Sequence, residues 1–289
     1  MSTVHDIKRL LKPLSDDNTS GSARIALHAI KRIRSIVKRA DSRVSSGFCK
    51  LISEQLISAQ PSMGIILNLA YGIRKMAGTA QRNDLLLYLD GFEAAIETHS
   101  RLIAIKMSEL LNKVNVVMTY SSSSTVLECL RYAYSRGSRF RIVVLESRPM
   151  KEGRDMMLRL AKASIPVTYV TDAAGMSMLA SEDIDAVLIG GDAVHGNGFV
   201  CKTGSRAIAE LCEKKGVRLY GLCGTEKIVP EELYGRFIVL DKPAQELSDV
   251  KNKFVSVINR YFEAVPLNMF TKIITDSGQM VVVSGKRTR

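Results

Sequence analysis

The sequence predicts an α/β protein in which an N-terminal helical bundle precedes a doubly wound, mostly parallel sheet. Two observations carry this. Up to about residue 112 the apolar residues recur at spacings of three and four, the period of an amphipathic helix. From Val114 short β-branched runs alternate with helical stretches, the pattern of a parallel sheet covered on both faces. The expected domains are therefore 1–112 and 113–289. With 289 residues, 46% hydrophobic and 24% charged, the chain can bury a full core. Disorder, a collagen-like repeat and a disulfide mini-scaffold are excluded.

The helical series begins at Ile25, Ala29, Ile33, Ile36 and Val37, then runs through Leu51, Ile52 and Leu56. It continues at Ile65, Ile66, Leu69 and Ile73, and again from Leu85 and Leu89 to Leu110. Breaks at Ser20-Gly21, Ser45-Ser46-Gly47, Gln60-Pro61 and Gly78-Thr79 divide it into four or five helices, the last near 82–112. Pro61 suits a first helical turn. Strands are expected at 114–119, 141–145, 166–171, 186–190, 218–222, 237–240 and 270–276. Helices are expected between them near 123–135, 152–163, 174–180 and 204–215.

No apolar run approaches the roughly 20 residues of a membrane helix, and the first residues lack an apolar signal region. Five cysteines form an odd set with no CxxC pair and no histidine at ligand spacing. The expectation is a cytoplasmic protein with reduced thiols, no metal, no membrane and no cofactor. Net charge is +12, and residues 1–50 hold eleven Lys or Arg against four Asp or Glu. The run 31–39 interleaves cations with aliphatic residues, which reads as the solvated face of a helix. No aromatic residues are interleaved to stack on bases, which argues against nucleic acid.

In doubly wound folds ligands sit beyond the carboxyl ends of the strands. After the first strand comes Ser121-Ser122-Ser123-Ser124 at a helix start, a supply of hydroxyls and backbone N–H groups for an anion such as phosphate. After the second comes Arg148, a planar fork for phosphate or carboxylate. Asp172 follows the third. After the fourth lie Gly190, Gly191, Asp192 and His195, then Lys202-Thr203-Gly204-Ser205 before a helix. Asp192 can handle protons and Lys202 can hold phosphate. His195 reads as a loop hydrogen-bonding residue, and Lys202–Ser205 is not a Walker motif. The fifth strand ends in Gly224-Thr225-Glu226-Lys227.

These motifs resemble a known superfamily. It joins the α, β and δ regulatory subunits of eukaryotic initiation factor 2B to isomerases of ribose-1,5-bisphosphate and 5-methylthioribose-1-phosphate. The stretches that carry the resemblance are Glu-Ser-Arg-Pro (146–149), Glu-Gly-Arg (152–154) and Val-Thr-Tyr-Val-Thr-Asp-Ala-Ala (167–174). Gly-Gly-Asp through Lys-Thr-Gly-Ser (190–205), Gly-Thr-Glu-Lys (224–227) and Phe262…Pro266…Gly278 follow in order, and Ser20-Gly21-Ser22-Ala23 fits in the helical domain. The resemblance implies a Rossmann-like sheet, self-association through the α/β domain, and contact with initiation factor 2 or other 2B-like subunits. It also implies a phosphorylated ligand, a sugar phosphate or nucleotide, held by Gly21, Ser122, Ser123, Arg148, Lys202, Gly204 and Lys227.

The isomerases of this superfamily use a Cys after the first strand and an Asp after the fourth to move protons as aldose becomes ketose. Asp192 matches the Asp, but the Cys position falls on Ser121. A thiol titrates at about 8.5 and is tunable, whereas a serine hydroxyl is a far weaker acid. Gln60-Pro61 stands where an Arg-Pro pair is expected, and Cys201-Lys202 where Asn-Lys is expected. The texture at 117–126 is that of the β and δ subunits, and 139–144 that of δ, although Asp192 departs from both α and δ. The implied function is a non-catalytic regulatory-type protein. The alternative is an isomerase in which Asp192 works with Tyr120, Cys201 or a water.

Overall fold

The computed structural model describes residues 2–280 except 18–19, 40–44, 80 and 197. The expected helical series forms five helices: α1 (Ser2–Asp16), α2 (Ser22–Val37), α3 (Ser46–Ala59), α4 (Gly64–Lys75) and α5 (Arg82–Leu111). Their stripes bury Ile25, Ile33, Ile52, Leu56, Ile65 and Leu69 completely. Ser45 starts α3 by accepting the Phe48 N–H on its hydroxyl, 3.2 Å away. Pro61 lies in the turn before α4 rather than in a first helical turn. In the basic run Ile33, Ile36 and Val37 are buried while Lys31, Lys38 and Arg39 are exposed, as an amphipathic face requires. Arg34 pairs with Asp90 at 2.7 Å and Glu93 at 2.5 Å on α5.

The rest of the chain is β1 (Val116–Tyr120), α6 (Ser124–Ser135), β2 (Arg141–Leu145), α7 (Gly153–Lys162), β3 (Val167–Val170) and α8 (Asp172–Ser181). Then come β4 (Ala186–Gly190), β5 (Ala193–His195), β6 (Gly198–Lys202), α9 (Ser205–Lys215) and β7 (Arg218–Leu222), followed by β8 (Phe262–Pro266), β9 (Lys272–Thr275) and β10 (Gly278–Met280). Seven strands form one sheet in the order β10-β9-β7-β4-β1-β2-β3. Its pairs are parallel except the terminal hairpin of β9 and β10. Strand order reverses between β1 and β4, the switch point of a doubly wound sheet. The central strands are buried along almost their whole length, which is why they read as continuous apolar runs.

Two expectations need correction. Residues 237–240 are not a strand: they follow a 3-10 turn at Glu231–Arg236, and Ile238 and Leu240 are half exposed. Conversely, β6 and β8 pair antiparallel where no strands were expected, because the glycines around β6 read as a loop. Phe199 anchors β6 in the core, 4.7 Å from Phe270, and a side chain at Gly191 would strike its ring. Among the described residues no helix is long and apolar enough to cross a membrane.

Two units make up the fold. The first holds Met1–Thr98 with two later excursions, Asp192–Gly196 and Glu226–Ile238. The second holds His99–Gly191, Asn197–Thr225 and Val239–Arg289. In the first unit the start of α4 grips both excursions. The Gly64 N–H donates to Asp192 O at 3.0 Å, and Asn68 Nδ2 donates to Glu226 O and Ile228 O at 2.9 and 2.7 Å. Ser62 Oγ donates to Ile238 O at 2.5 Å. A Cβ on Gly64 would lie 2.1 Å from Lys227 O. Helix propensity alone favours alanine there, but the neighbour is backbone and cannot swing aside. Gly64→Ala is expected to lower stability by about 1–3 kcal/mol, read from the urea midpoint; a neutral or stabilising result would contradict this packing.

Candidate functional site

In the α/β unit the site begins with two tight corners at the ends of β1 and β2. Ser121 and Ser147 both adopt left-handed backbone, with φ of 67° and 65°. The Ser121 N–H donates to Ser147 Oγ at 2.7 Å, and Ser147 is fully buried. Asp172, the first residue of α8, holds the second corner from the other side. Its two carboxylate oxygens accept the N–H groups of Ser147 and Arg148, at 2.7 and 2.8 Å. Arg148 precedes a cis proline, and its side chain is exposed with no acidic partner among the described residues.

The serines divide their tasks. Ser122 Oγ donates to Asp155 at 2.9 Å, and Ser123 caps α6 by accepting the Val126 N–H at 3.3 Å. Gly190 must stay bare, because a Cβ would sit 2.2 Å from Ser123 Oγ. Ser124 is exposed at the first turn of α6.

Lys202 is 4% exposed at the end of β6. Its ammonium lies 2.6 Å from Glu152 Oε1 and 4.4 Å from the centre of the Tyr261 ring. The other oxygen of Glu152 is buried without a hydrogen-bond partner. The start of α9 is also occupied from within. Glu263 Oε1 accepts the N–H groups of Gly204 and Arg206 at 2.7 and 2.9 Å, where an anion would otherwise bind. Gly204, at φ 106°, lies against Tyr120, whose hydroxyl donates to Thr203 O at 2.7 Å. Burial, reinforced by Asp172, Glu152 and Glu263, pushes the Tyr120 phenol far above its ordinary range. Cys201 is fully buried, its Sγ 3.6 Å from Phe199 O.

Gly21, Asp192 and Lys227 belong to the helical unit. Gly21 precedes α2 and offers no side-chain cap, so the first N–H groups of that helix keep their donors. Beside it Ser22 is 2% exposed and its hydroxyl has no partner. Asp192 is half-buried, and Lys227 is 4% exposed. Gln60 donates to Leu14 O at 2.6 Å, a brace between α1 and α3.

Six candidate residues thus share the α/β unit and three the helical unit. Glu152, Ser147, Asp172 and Glu263 were not named as site residues from the sequence. The first three lie inside motifs already noted, Glu-Gly-Arg, Glu-Ser-Arg-Pro and Thr-Asp-Ala-Ala, where their carboxylates and hydroxyl were available signals. Glu263 carries no such signal.

Ribose 1,5-bisphosphate isomerase from Archaeoglobus fulgidus is 25% identical over 265 residues, covering 89% of this chain and 84% of the relative. The crystal structure of translation initiation factor eIF-2B from Pyrococcus horikoshii OT3 superposes with a TM-score of 0.84 at 24% identity, covering 95% of this chain and 96% of that one. A chain of the tetrameric eIF2B-beta2-delta2 complex from C. thermophilum superposes at 0.73 with 18% identity, covering 93% and 90%. The likeness to both structures lies in the fold. The sequence pattern of the initiation factor 2 subunit family matches residues 18–281, nearly the whole length, and the chain belongs to that family.

Proposed function

We propose that this chain is a regulatory-subunit-type member of the family. In this reading it is a cytoplasmic initiation factor 2B-like protein that binds a phosphorylated sugar or nucleotide and does not turn it over. The observation that carries the reading is Ser121. A hydroxyl stands where the isomerase pattern has a thiol, on a left-handed corner, with no hydrogen bond to its Oγ among the described residues. Without a base to activate it, a serine hydroxyl is a poor acid and base for catalytic proton transfer at neutral pH. Neither expected substitute is better placed: the Tyr120 proton is committed to Thr203, and Cys201 is buried.

Binding is supported, within the α/β unit, by the exposed Arg148 fork. Lys202 and the start of α9, already neutralised by Glu152 and Glu263, take a positioning role. Self-association, and association with other 2B-like subunits, is supported by the tetrameric relative. Ribose 5-phosphate is expected to raise the melting temperature of the wild type, and Arg148→Ala to lose at least half of that rise. An equal shift in both proteins would remove Arg148 from the site.

The second reading is an aldose–ketose isomerase acting on a phosphorylated ribose. It is favoured by the archaeal isomerase relative and by Asp192, which keeps the isomerase carboxylate. It requires a proton carrier other than Ser121, such as a water held by Asp192.

A further inference from the structure

In the α/β unit a cavity of about 350 Å³ opens between α5, the second half of α6 and the turn that leads into β3. It lies away from the strand ends described above. α6 runs back from the Ser121 corner against the direction of β1, so residues 128–135 stand toward the amino ends of the strands. Arg101 forms one wall, and its guanidinium is fixed twice. Nη1 lies 3.0 Å from Glu128 Oε1, and Cζ lies 4.2 Å from the centre of the Tyr132 ring. Tyr134 forms another wall, its ring covered by Arg139 at 4.6 Å and met edge-on by Phe140 at 6.0 Å. Both tyrosines are half-buried against the hydrophobic core, and Ile165, buried just before β3, adds an apolar surface. Walls held in this way have little side-chain freedom left to lose on binding.

We infer that this cavity is a second small-molecule site, for a flat aromatic body of one or two rings that carries a carboxylate. It does not depend on what the strand ends bind. Size is the first argument: ligand pockets span roughly 300–1,000 Å³, and this one sits at the low end of that range. Charge is the second. Glu128 neutralises Arg101, whereas Arg131, three residues further along α6, lines the cavity with no acidic partner among the described residues. Its planar fork matches a carboxylate through two parallel hydrogen bonds. The wall chemistry is the third. Guanidinium planes and phenol rings both stack on aromatic faces, and the Tyr132 and Tyr134 hydroxyls make no hydrogen bond among the described residues. Each therefore keeps a donor for an acceptor on the ligand. A sugar phosphate would satisfy Arg131 but leave both rings without an apolar partner, which separates this site chemically from the strand ends.

The test is a ligand-observed NMR titration of 2-naphthoate with the full chain. Binding is expected at about 1 mM or tighter, the scale for a ligand of this size. 2-Naphthamide keeps the rings without the charge, and acetate keeps the charge without the rings; each is expected to bind about tenfold more weakly or worse. Arg131 is exposed and unpaired, so Arg131→Ala should fold, and it is expected to weaken 2-naphthoate about tenfold. Lys38→Ala removes the same charge from the exposed side of α2 and should leave the affinity unchanged. Equal affinity for 2-naphthoate and 2-naphthamide overturns the assignment to an anion. An Arg131→Ala protein that binds as wild type does, or one that loses no more than Lys38→Ala, overturns the assignment to this cavity. A wild type that binds no 2-naphthoate at several millimolar overturns the site altogether.

Discussion

Lys202→Ala is expected to destabilise the fold by about 3–5 kcal/mol, because it strands a buried carboxylate. Glu152 accepts from the Lys202 ammonium at 2.6 Å, and its other oxygen already lacks a partner. Removing the cation leaves that charge, on a side chain only 15% exposed, without its counter-ion. The pair itself is a weaker contributor than this loss implies, since ionising both groups in the interior has its own desolvation cost. The double variant Lys202→Met, Glu152→Gln should therefore recover most of the stability. Urea unfolding of the three proteins checks this. If the single variant unfolds within about 1 kcal/mol of wild type, as an exposed pair would, the buried pair described here is not a working part of the fold.

Asp172→Ala is the second large effect. One carboxylate accepts the N–H groups of Ser147 and Arg148, and alanine leaves both donors unpaired. An unpaired buried donor costs about 1–3 kcal/mol, which applies to the N–H of the fully buried Ser147, whereas the exposed Arg148 N–H can turn to water. In the proposed binding reading the loss extends to the phosphate ester, because the same two N–H groups fix the corner that carries Arg148. A melting-temperature rise with ribose 5-phosphate should shrink in Asp172→Ala, although Asp172 need not touch the ligand. Asp172→Asn keeps one acceptor and should fall between the two. Full ligand response in Asp172→Ala, with stability reduced, would show that the corner does not position Arg148.

Much of the architecture was legible in the sequence because it rests on periods and runs. The three-and-four spacing of Ile25 to Val37 and of Ile65 to Ile73 became the buried faces of α2 and α4. The apolar runs at 141–145 and 186–190 became central strands. What failed were segments whose composition contradicts their setting. Gly198–Lys202 looks like a loop, yet Phe199 fills the space that Gly191 and Gly221 leave open. Residues 237–240 look like a strand, yet nothing pairs with them in the sheet.

The site was legible as a set of residue types at strand ends, not as a set of partners. Lys202 reads as a phosphate ligand until Glu152, fifty positions earlier, is found against it. The start of α9 reads as an anion site until Glu263, from the far end of the chain, fills it. Four serines in a row read as one ligand cradle, but one caps a helix, one meets Asp155 and one turns a corner. Such pairings are set by topology, which local motifs do not encode. What the sequence did carry was chemical identity, above all a serine where a thiol would do proton transfer.

Whether Ser121 leaves the protein without isomerase activity is decided by a turnover assay. The wild-type protein is incubated with ribose-1,5-bisphosphate and, separately, with 5-methylthioribose-1-phosphate, and the ketose carbonyl is followed by carbon-13 NMR. A binding, non-catalytic protein leaves both aldoses unchanged over hours at micromolar protein, while the same phosphate esters raise its melting temperature. Ketose formation from either substrate, abolished in Asp192→Asn, would contradict the non-catalytic reading and establish the chain as an isomerase.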